Sequence, residues 1–125
     1  MDKIKTDKAP QAIGAYSQGV AVDDFVFTSG QIGINPNTGE LIVENFEDEV
    51  KQVLMNVQSV LEAGGSNMKN AIKLSVFITD LSNFKLVNDI FVNFFNGDYP
   101  ARSVVQVSAL PLNANIEIEA IGKKA

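Results

Sequence analysis

The chain contains no histidine, cysteine or tryptophan, and Arg102 is its only arginine. Without histidine and cysteine, a Ser-His-Asp triad, a Cys-His pair and an ordinary zinc site are all excluded. Any chemistry must therefore use carboxylate, hydroxyl, amide, lysine and arginine side chains, together with the backbone and water. The sequence also lacks a phosphate-binding loop, a dinucleotide fingerprint and a metal-ligand pattern, so we expect no cofactor and no metal.

Excess positive charge and long apolar runs are also missing. Ten lysines and arginines against 15 aspartates and glutamates give a net charge of −5. This balance argues against nucleic acid and anionic membrane surfaces, because both attract basic faces. The apolar runs are too short for a membrane span, and residues 1–5 do not resemble a signal peptide. We therefore expect a cytoplasmic protein.

The length of 125 residues predicts a single domain over residues 1–125. Hydrophobic periodicity predicts that it is built from two helices and five or six strands. Apolar positions three and four apart predict helices over 46–63 and 82–96, with Asn45 and either Asp80 or Ser82 as caps. Gly64 and Gly97 are expected to stop these helices. Segments rich in β-formers predict strands at 19–22, 25–28, 72–79, 103–108 and 115–121, a short strand at 41–43, and a strand or ordered arm within 1–15.

The element order β-β-(β)-α-β-α-β-β predicts that both helices lie on one face of the sheet, because each helix connects two strands. Two helices cannot cover both faces of a sheet with five or six strands. The strand alternation leaves Phe25, Phe27 and Ile121 among the candidates for the second face. An uncovered, partly apolar sheet face indicates association, so we expect a homo-oligomer.

Arg102 and Glu117 are the strongest candidates for a functional site. The guanidinium of Arg102 is a planar fork that suits a carboxylate or a phosphate, although a surface ion pair is the ordinary alternative. Glu117 and Glu119 alternate with isoleucine in 115–121 and should point away from the helices. Periodicity alone favours two solvated carboxylates. If subunits bury that face, the pKa of a carboxylate there would rise and suit a general base.

Three further segments are weaker candidates when each is taken alone. Ser29 and Gly30 follow a predicted strand, where a glycine permits a turn or the close approach of a ligand. Tyr16 follows a flexible joint, but a lone tyrosine is more often a core or interface residue. Asn88 lies on the second predicted helix, where a surface amide is the ordinary interpretation.

Taken together, these segments resemble the YjgF/RidA family of reactive-intermediate deaminases over nearly the whole chain. The matching segments occur in order: Ala9-Pro10, Ile13–Gly19, Thr28–Ile32, Asn35–Glu40, Val76–Leu81, the Val87-Asn88 helix ending in Phe94-Phe95, Pro100–Ser103 and Ile116–Ala120. The resemblance implies a chorismate-mutase-like α+β fold with a β-β-α-β-α-β sheet and two helices on one face. It also implies a homotrimer with a central β-barrel and a cleft at each subunit interface.

The resemblance further implies which residues act and on what. Arg102 would bind the substrate carboxylate, and Glu117 would hold or activate water. The cleft would be lined by Tyr16, Ser29, Gly30, Asn88 and Val104. The implied reaction is the hydrolysis of 2-imino acids and their enamine tautomers, of the 2-aminoacrylate and 2-aminocrotonate type, to 2-oxo acids and ammonia, without a cofactor.

Two positions depart from the family pattern. Val104 replaces a cysteine that many deaminating members carry, and Ala15 replaces the usual proline before the tyrosine. The role at position 104 is thought to use mainly the backbone. We therefore expect these changes to affect substrate preference more than activity.

Other functions remain open at this point. A non-catalytic regulatory trimer that binds small carboxylates would keep Arg102 but would not need Glu117, so the presence of Glu117 favours the enzyme. Some relatives are described as ribonucleases or translation inhibitors. The acidic net charge and the single arginine argue against such a function here. A holdase-like protein would need exposed apolar surface.

Overall fold

The structure is a computed structural model that describes residues 1–125 and contains six strands and two α-helices. The elements are β1 (Asp2–Ile4), β2 (Gly19–Val22), β3 (Phe25–Thr28), α1 (Phe46–Ala63), β4 (Ala71–Ile78), α2 (Phe84–Phe95), β5 (Ala101–Gln106) and β6 (Ile116–Lys123). Short 3-10 turns precede β4, α2 and β6. No helix combines the length and the apolar character needed to span a membrane.

All six strands form one mixed sheet in the order β1-β2-β3-β6-β4-β5. Strands β4 and β5 are parallel, and every other neighbouring pair is antiparallel. The last strand in the chain, β6, is inserted between β3 and β4. This insertion places the carboxylates of β6 in the middle of the sheet rather than at an edge.

Helix α1 has the predicted bounds because both of its ends are capped. Asn45 accepts a hydrogen bond from the backbone N–H of Asp48 at 3.2 Å, and acidic residues fill the positive first turn. The helix ends at Gly64, whose N–H donates to carbonyls of the last turn. Its inward face is fully buried and consists of Val50, Val53, Leu54, Val57, Val60 and Leu61.

Helix α2 begins two residues later than predicted. The side chain of Asp80 accepts a hydrogen bond from the N–H of Ser82 at 3.0 Å and starts a 3-10 turn over Leu81–Asn83. The helix begins only after this turn. It ends at Phe95, because Asn96 adopts a left-handed conformation with φ 51°.

Both helices pack on the same face of the sheet, as predicted. One cluster of 20 buried hydrophobic residues joins α1 and α2 to the inward side chains of the central strands. In β6, Ile116, Ile118 and Ala120 point into this core, whereas Glu117 and Glu119 point to the face without helices. The predicted alternation of the last strand is confirmed.

The helix-free face carries exposed aromatic side chains on β3. Phe25 and Phe27 are each 41% exposed, and Ile121 of β6 pairs with Phe27 and is half-buried. The prediction that these residues belong to the second face is confirmed.

The predicted elements at three places need correction. The expected strand over 41–43 is wrong, because only Leu41 pairs, through a single bridge to Ile34. The strand expected at 103–108 begins at Ala101, because its parallel ladder with β4 starts at Lys73. Arg102 therefore lies inside β5 rather than before it. Within residues 1–15, only Asp2–Ile4 forms a strand, along the edge next to β2.

We expect Leu54→Ala to lower the free energy of unfolding by about 2–5 kcal/mol, because Leu54 is fully buried and the substitution leaves a cavity. Met55→Ala is the matched control, because Met55 is the next residue along the helix and is 57% exposed. This substitution should change the free energy of unfolding by less than about 0.5 kcal/mol. Urea unfolding at equal protein concentration measures both. Equal losses in the two variants would contradict this view of the core.

Candidate active site

A cavity of about 460 Å³ opens beside Glu117 and is called here the glutamate cavity. Glu117 is its only carboxylate, and no lysine or arginine faces it. Most of its lining surface is apolar. The lining residues are Pro10, Gln11, Ile13, Tyr16, Ser29, Gly30, Gln31, Ile32, Ile34, Pro111 and Glu117.

The carboxylate of Glu117 lies directly against the backbone of the loop that follows β3. A Cβ atom at Gly30 would lie 2.8 Å from Cδ of Glu117, so only glycine permits this approach. Next along the loop, Gln31 and Ile118 exchange two backbone hydrogen bonds of 2.8 and 3.0 Å. The loop is therefore attached to β6 at the residue after Glu117.

The N-terminal arm that carries Tyr16 is held by the buried side chain of Gln18. Gln18 accepts a hydrogen bond from the N–H of Thr6 at 2.7 Å and donates one to the carbonyl of Pro10 at 2.7 Å. The Ser29 hydroxyl donates to the carbonyl of residue 17. Together these bonds bring Tyr16 and Ser29 to the same cavity as Glu117.

The environment of Glu117 disfavours its charged form. Burial raises the pKa of Glu117 above the usual value for glutamate, and the negative charge of Glu119 raises it further. Lys73 lies on the same face of the sheet but opposite Ile121, farther along β6. A carboxylate with a raised pKa is a stronger proton acceptor, which suits a general base.

Arg102 lies in a second pocket of about 360 Å³, called here the arginine pocket and lined by Asn88, Phe91, Val92, Tyr99, Pro100 and Arg102. In the parallel ladder, Arg102 pairs with Leu74, which is fully buried beneath the helices. Arg102 therefore points to the helix side of the edge strand β5. Its Cζ lies 5.4 and 5.3 Å from the ring centroids of Phe84 and Phe91, within cation–π range.

The guanidinium of Arg102 makes no ion pair within the chain. The two ion pairs, Lys51–Glu47 and Lys85–Asp89, each lie within one helix. The alternative of a surface ion pair at Arg102 is therefore wrong for the isolated chain. Its planar donors remain available to an anion, while the two aromatic rings fix the guanidinium in place.

Within one chain, the structure does not bring Arg102 and Glu117 together. Arg102 and Ala120 both pair with Leu74, so Glu117 lies two strands away and three positions along. Strand spacings give a Cα separation on the order of 14 Å, with the two side chains on opposite faces. Tyr16, Ser29 and Gly30 accompany Glu117, and exposed Asn88 accompanies Arg102.

The side chain of Val104 lines neither cavity. It lies on the same face of β5 as Arg102 and packs against the hydrophobic core. A contact between residue 104 and substrate through the backbone stays a prediction.

Several lining residues were not singled out from the sequence. They are Pro10, Gln11, Ile13, Gln31, Ile32, Ile34 and Pro111. Pro10, Ile13, Gln31 and Ile32 lie within segments that carry the family resemblance, which was the available signal. Ile34 and Pro111 had no such signal, because loop packing alone brings them to the cavity.

The fold and the two cavities define a small α+β protein that presents a carboxylate and a guanidinium to ligand-sized spaces. Residues 6–123 match the protein family described as Endoribonuclease L-PSP. The chain therefore belongs to this family, which is the YjgF/RidA family predicted from its motifs.

Relatives with curated names cover most of the chain. It is 47% identical to a 2-iminobutanoate/2-iminopropanoate deaminase of Rattus norvegicus, over 94% of this chain and 86% of the relative. It is 45% identical to the chloroplastic Reactive Intermediate Deaminase A of Arabidopsis thaliana, over 94% of this chain but only 63% of that protein's length. The crystal structure of E. coli TdcF with bound serine superposes with a TM-score of 0.94, at 42% identity and full coverage of both chains.

We expect Glu119→Gln to lower the pKa of Glu117, because the substitution removes the like charge that helps to raise it. Carbon-13 NMR titration of the labelled glutamate carboxyls measures the shift, and Glu117→Gln assigns the signal. The Glu117 midpoint should stay above the ordinary glutamate range even in Glu119→Gln, since burial is the larger cause. An unchanged or higher midpoint in Glu119→Gln would contradict the proposed coupling.

Proposed function

We propose that this protein hydrolyses reactive 2-imino acids to 2-oxo acids and ammonia, including enamine tautomers of the 2-aminoacrylate and 2-aminocrotonate type. The observation that carries this proposal is Glu117, a partly desolvated carboxylate that is the only charged group lining its cavity. Deaminases of this type at 45 and 47% identity support the choice of reaction. In this proposal the whole chain, residues 1–125, acts as one domain in the cytoplasm.

The substrate would bind between two chains. Arg102 and Glu117 lie on opposite faces of one sheet, so a small molecule that reaches both must take each from a different copy. The aromatic helix-free face, with Phe25 and Phe27, suits burial against other copies. We propose a homotrimer in which the sheets form a central barrel and the helices lie outside.

Arg102 and its pocket would orient the substrate. The guanidinium would hold the substrate carboxylate through two parallel charge-assisted hydrogen bonds, which fix both position and direction. Asn88 lines the same pocket and offers an amide to the substrate. The backbone of Val104 would complete this side of the cleft. Orientation of this kind accounts for several kcal/mol of a barrier.

Glu117 would perform the proton transfers. An iminium carbon is already electrophilic, so water can attack it without a protein nucleophile or a metal. Glu117 accepts a proton as the water oxygen bonds to the carbon, which yields a carbinolamine. Glu117 then returns that proton to nitrogen, the carbon–nitrogen bond breaks, and the hydroxyl proton leaves with ammonia as ammonium. The products are the 2-oxo acid, ammonium and the original carboxylate of Glu117.

The remaining cavity residues would hold the water and the reacting end of the substrate. The Tyr16 hydroxyl accepts a hydrogen bond from the N–H of Ile13 at 3.3 Å and keeps its own proton to donate. The backbone of Gly30 borders the carboxylate of Glu117, and Ser29 lines the same cavity. In this proposal Tyr16 and Ser29 position the substrate and the water beside the base.

A second function is favoured by one observation. The E. coli relative was crystallised with serine, a small amino acid that carries a carboxylate. A regulatory trimer that binds small carboxylates without turnover would use Arg102 in the same way but would not require Glu117. The two functions therefore differ in what loss of Glu117 does.

We expect Glu117→Gln to lower kcat by roughly 10²–10⁴-fold with little change in KM, because the base is lost while the substrate is still held. Arg102→Ala should lower kcat/KM by about 10–100-fold, because a charge-assisted grip is removed. Formation of 2-oxobutanoate, coupled to a threonine dehydratase with semicarbazide as competing nucleophile, measures both. Wild-type protein that does not exceed the uncatalysed rate would overturn the deaminase, and titration with 2-oxo acids would then test the binding function.

We expect a mixture of Arg102→Ala and Glu117→Gln chains to regain activity after unfolding and refolding together. Some interfaces would then combine an intact Arg102 with an intact Glu117 from different copies. Random assembly at equal amounts makes about a quarter of the shared sites complete. Each variant refolded alone is the control. A mixture no more active than its two components would show that sites are not shared between chains.

A further inference from the structure

Glu49 of helix α1 is a fully buried carboxylate without a cation. Neither ion pair of the chain includes it. Burial of a carboxylate is unfavourable unless hydrogen bonds replace its water. Both oxygens accept such bonds from Asn115: the backbone N–H donates to Oε2 and the side-chain amide donates to Oε1, each at 2.8 Å. The buried carboxylate thus binds one residue at two points.

Asn115 occupies the junction between the wall of the glutamate cavity and the strand that carries the base. It immediately precedes β6 and lies two residues before Glu117. On its other side, Leu112 and Asn113 both adopt left-handed conformations, with φ 56° and 58°. This conformation is unfavourable for leucine and persists only where the surrounding structure holds it. The segment begins at Pro111, which lines the cavity.

Another part of the cavity wall, the loop after β3, rests on the same helix. A Cβ atom at Gly33 would lie 2.9 Å from Cγ of Glu49, so the loop backbone packs directly on this side chain. Two turns along α1, the buried amide of Asn56 donates to the carbonyls of Ile32 and Ile34 at 3.1 and 2.9 Å. Helix α1 therefore contacts both the loop after β3 and the segment before β6.

We propose that Glu49 is a positioning residue for Glu117, acting through its two hydrogen bonds to Asn115. This pair, called here the Glu49–Asn115 clamp, holds the left-handed turn after Pro111 and sets where β6 begins. Because Glu117 is part of β6, the point at which this strand begins determines where its carboxylate lies against Gly30. The inference rests on the proposed function, because Glu117 is taken as the base of that reaction.

The clamp should affect turnover without affecting substrate binding. Arg102 lies on the other face of the sheet and, in the proposed site, belongs to another copy. Its grip on the substrate carboxylate is therefore independent of Glu49. Loss of the clamp should lower kcat and leave KM nearly unchanged.

The test compares Glu49→Ala, Asn115→Ala and Glu49→Gln with Leu54→Ala as the structural control. Leu54 is fully buried on the same helix and lines neither cavity. Glu49→Ala and Asn115→Ala should each lower kcat by roughly 10–100-fold with KM within about two-fold of wild type. The double alanine variant should lose little more than either single variant, because both remove the same contact.

Glu49→Gln should keep kcat within about three-fold of wild type. The one carbonyl oxygen of Gln can accept from the N–H of Asn115, and its amide can donate to the side-chain oxygen of Asn115 once the Asn115 amide turns. Leu54→Ala should lose stability but keep kcat at a temperature where it is folded. The proposal is overturned if Glu49→Ala turns over like wild type, if Glu49→Gln falls as far as Glu49→Ala, or if Leu54→Ala loses kcat equally.

Amide hydrogen exchange supplies a readout that does not depend on turnover. Glu49→Ala should speed exchange at Ile118, whose N–H donates to the carbonyl of Gln31 and joins the loop to β6, more than Leu54→Ala does at equal global stability. If wild-type protein shows no deaminase activity, the proposed function fails. The exchange comparison alone then tests whether the Glu49–Asn115 clamp holds the start of β6. Equal exchange at Ile118 in the two variants would then overturn it.

Discussion

Strand β6 carries the protein core and the candidate base on alternate residues, and the rest of the molecule is arranged around this alternation. Ile116 and Ile118 are buried beneath the helices, so a shift of one residue would expose them and bury Glu117 and Glu119. The register of the strand is therefore strongly determined by hydrophobic burial. Because the same register sets which face Glu117 occupies, the stability of the core and the place of the base depend on one constraint.

Three buried polar side chains hold loops in place rather than joining strands or helices to one another. Gln18 holds the N-terminal arm, Asn56 holds the loop after β3, and Glu49 holds the turn before β6. No buried side-chain polar atom lacks a hydrogen-bond partner. A polar group that is buried and fully bonded specifies one loop geometry, because any other leaves it unsatisfied. Three segments between the strands and helices can therefore line a cavity of definite shape.

Local pattern predicted the helices and central strands well where burial is periodic. Helix α1 has its predicted bounds because its apolar stripe, its Asn45 cap and its glycine stop agree. The strand expected at 41–43 failed because apolar residues there pair only at Leu41. The motif resemblance pointed to Tyr16, Ser29 and Gly30, which line the same cavity as Glu117. It offered no signal for Pro111 or for Glu49. Glu49 contacts Asn115, 66 positions away in the chain, and Pro111 reaches the cavity through loop packing. Hydrophobic periodicity carries no information about either kind of contact.

The sequence by itself determined the class of fold, the two helices on one face, the family and the identity of the candidate base and anion-binding arginine. Each of these depends on local spacing or on motifs that stand in the chain as written. Only the tertiary structure decided that β6 enters between β3 and β4, and that Arg102 and Glu117 occupy opposite faces of the sheet. The order of strands and the direction of an edge side chain follow from pairing between distant segments, which local preferences leave open.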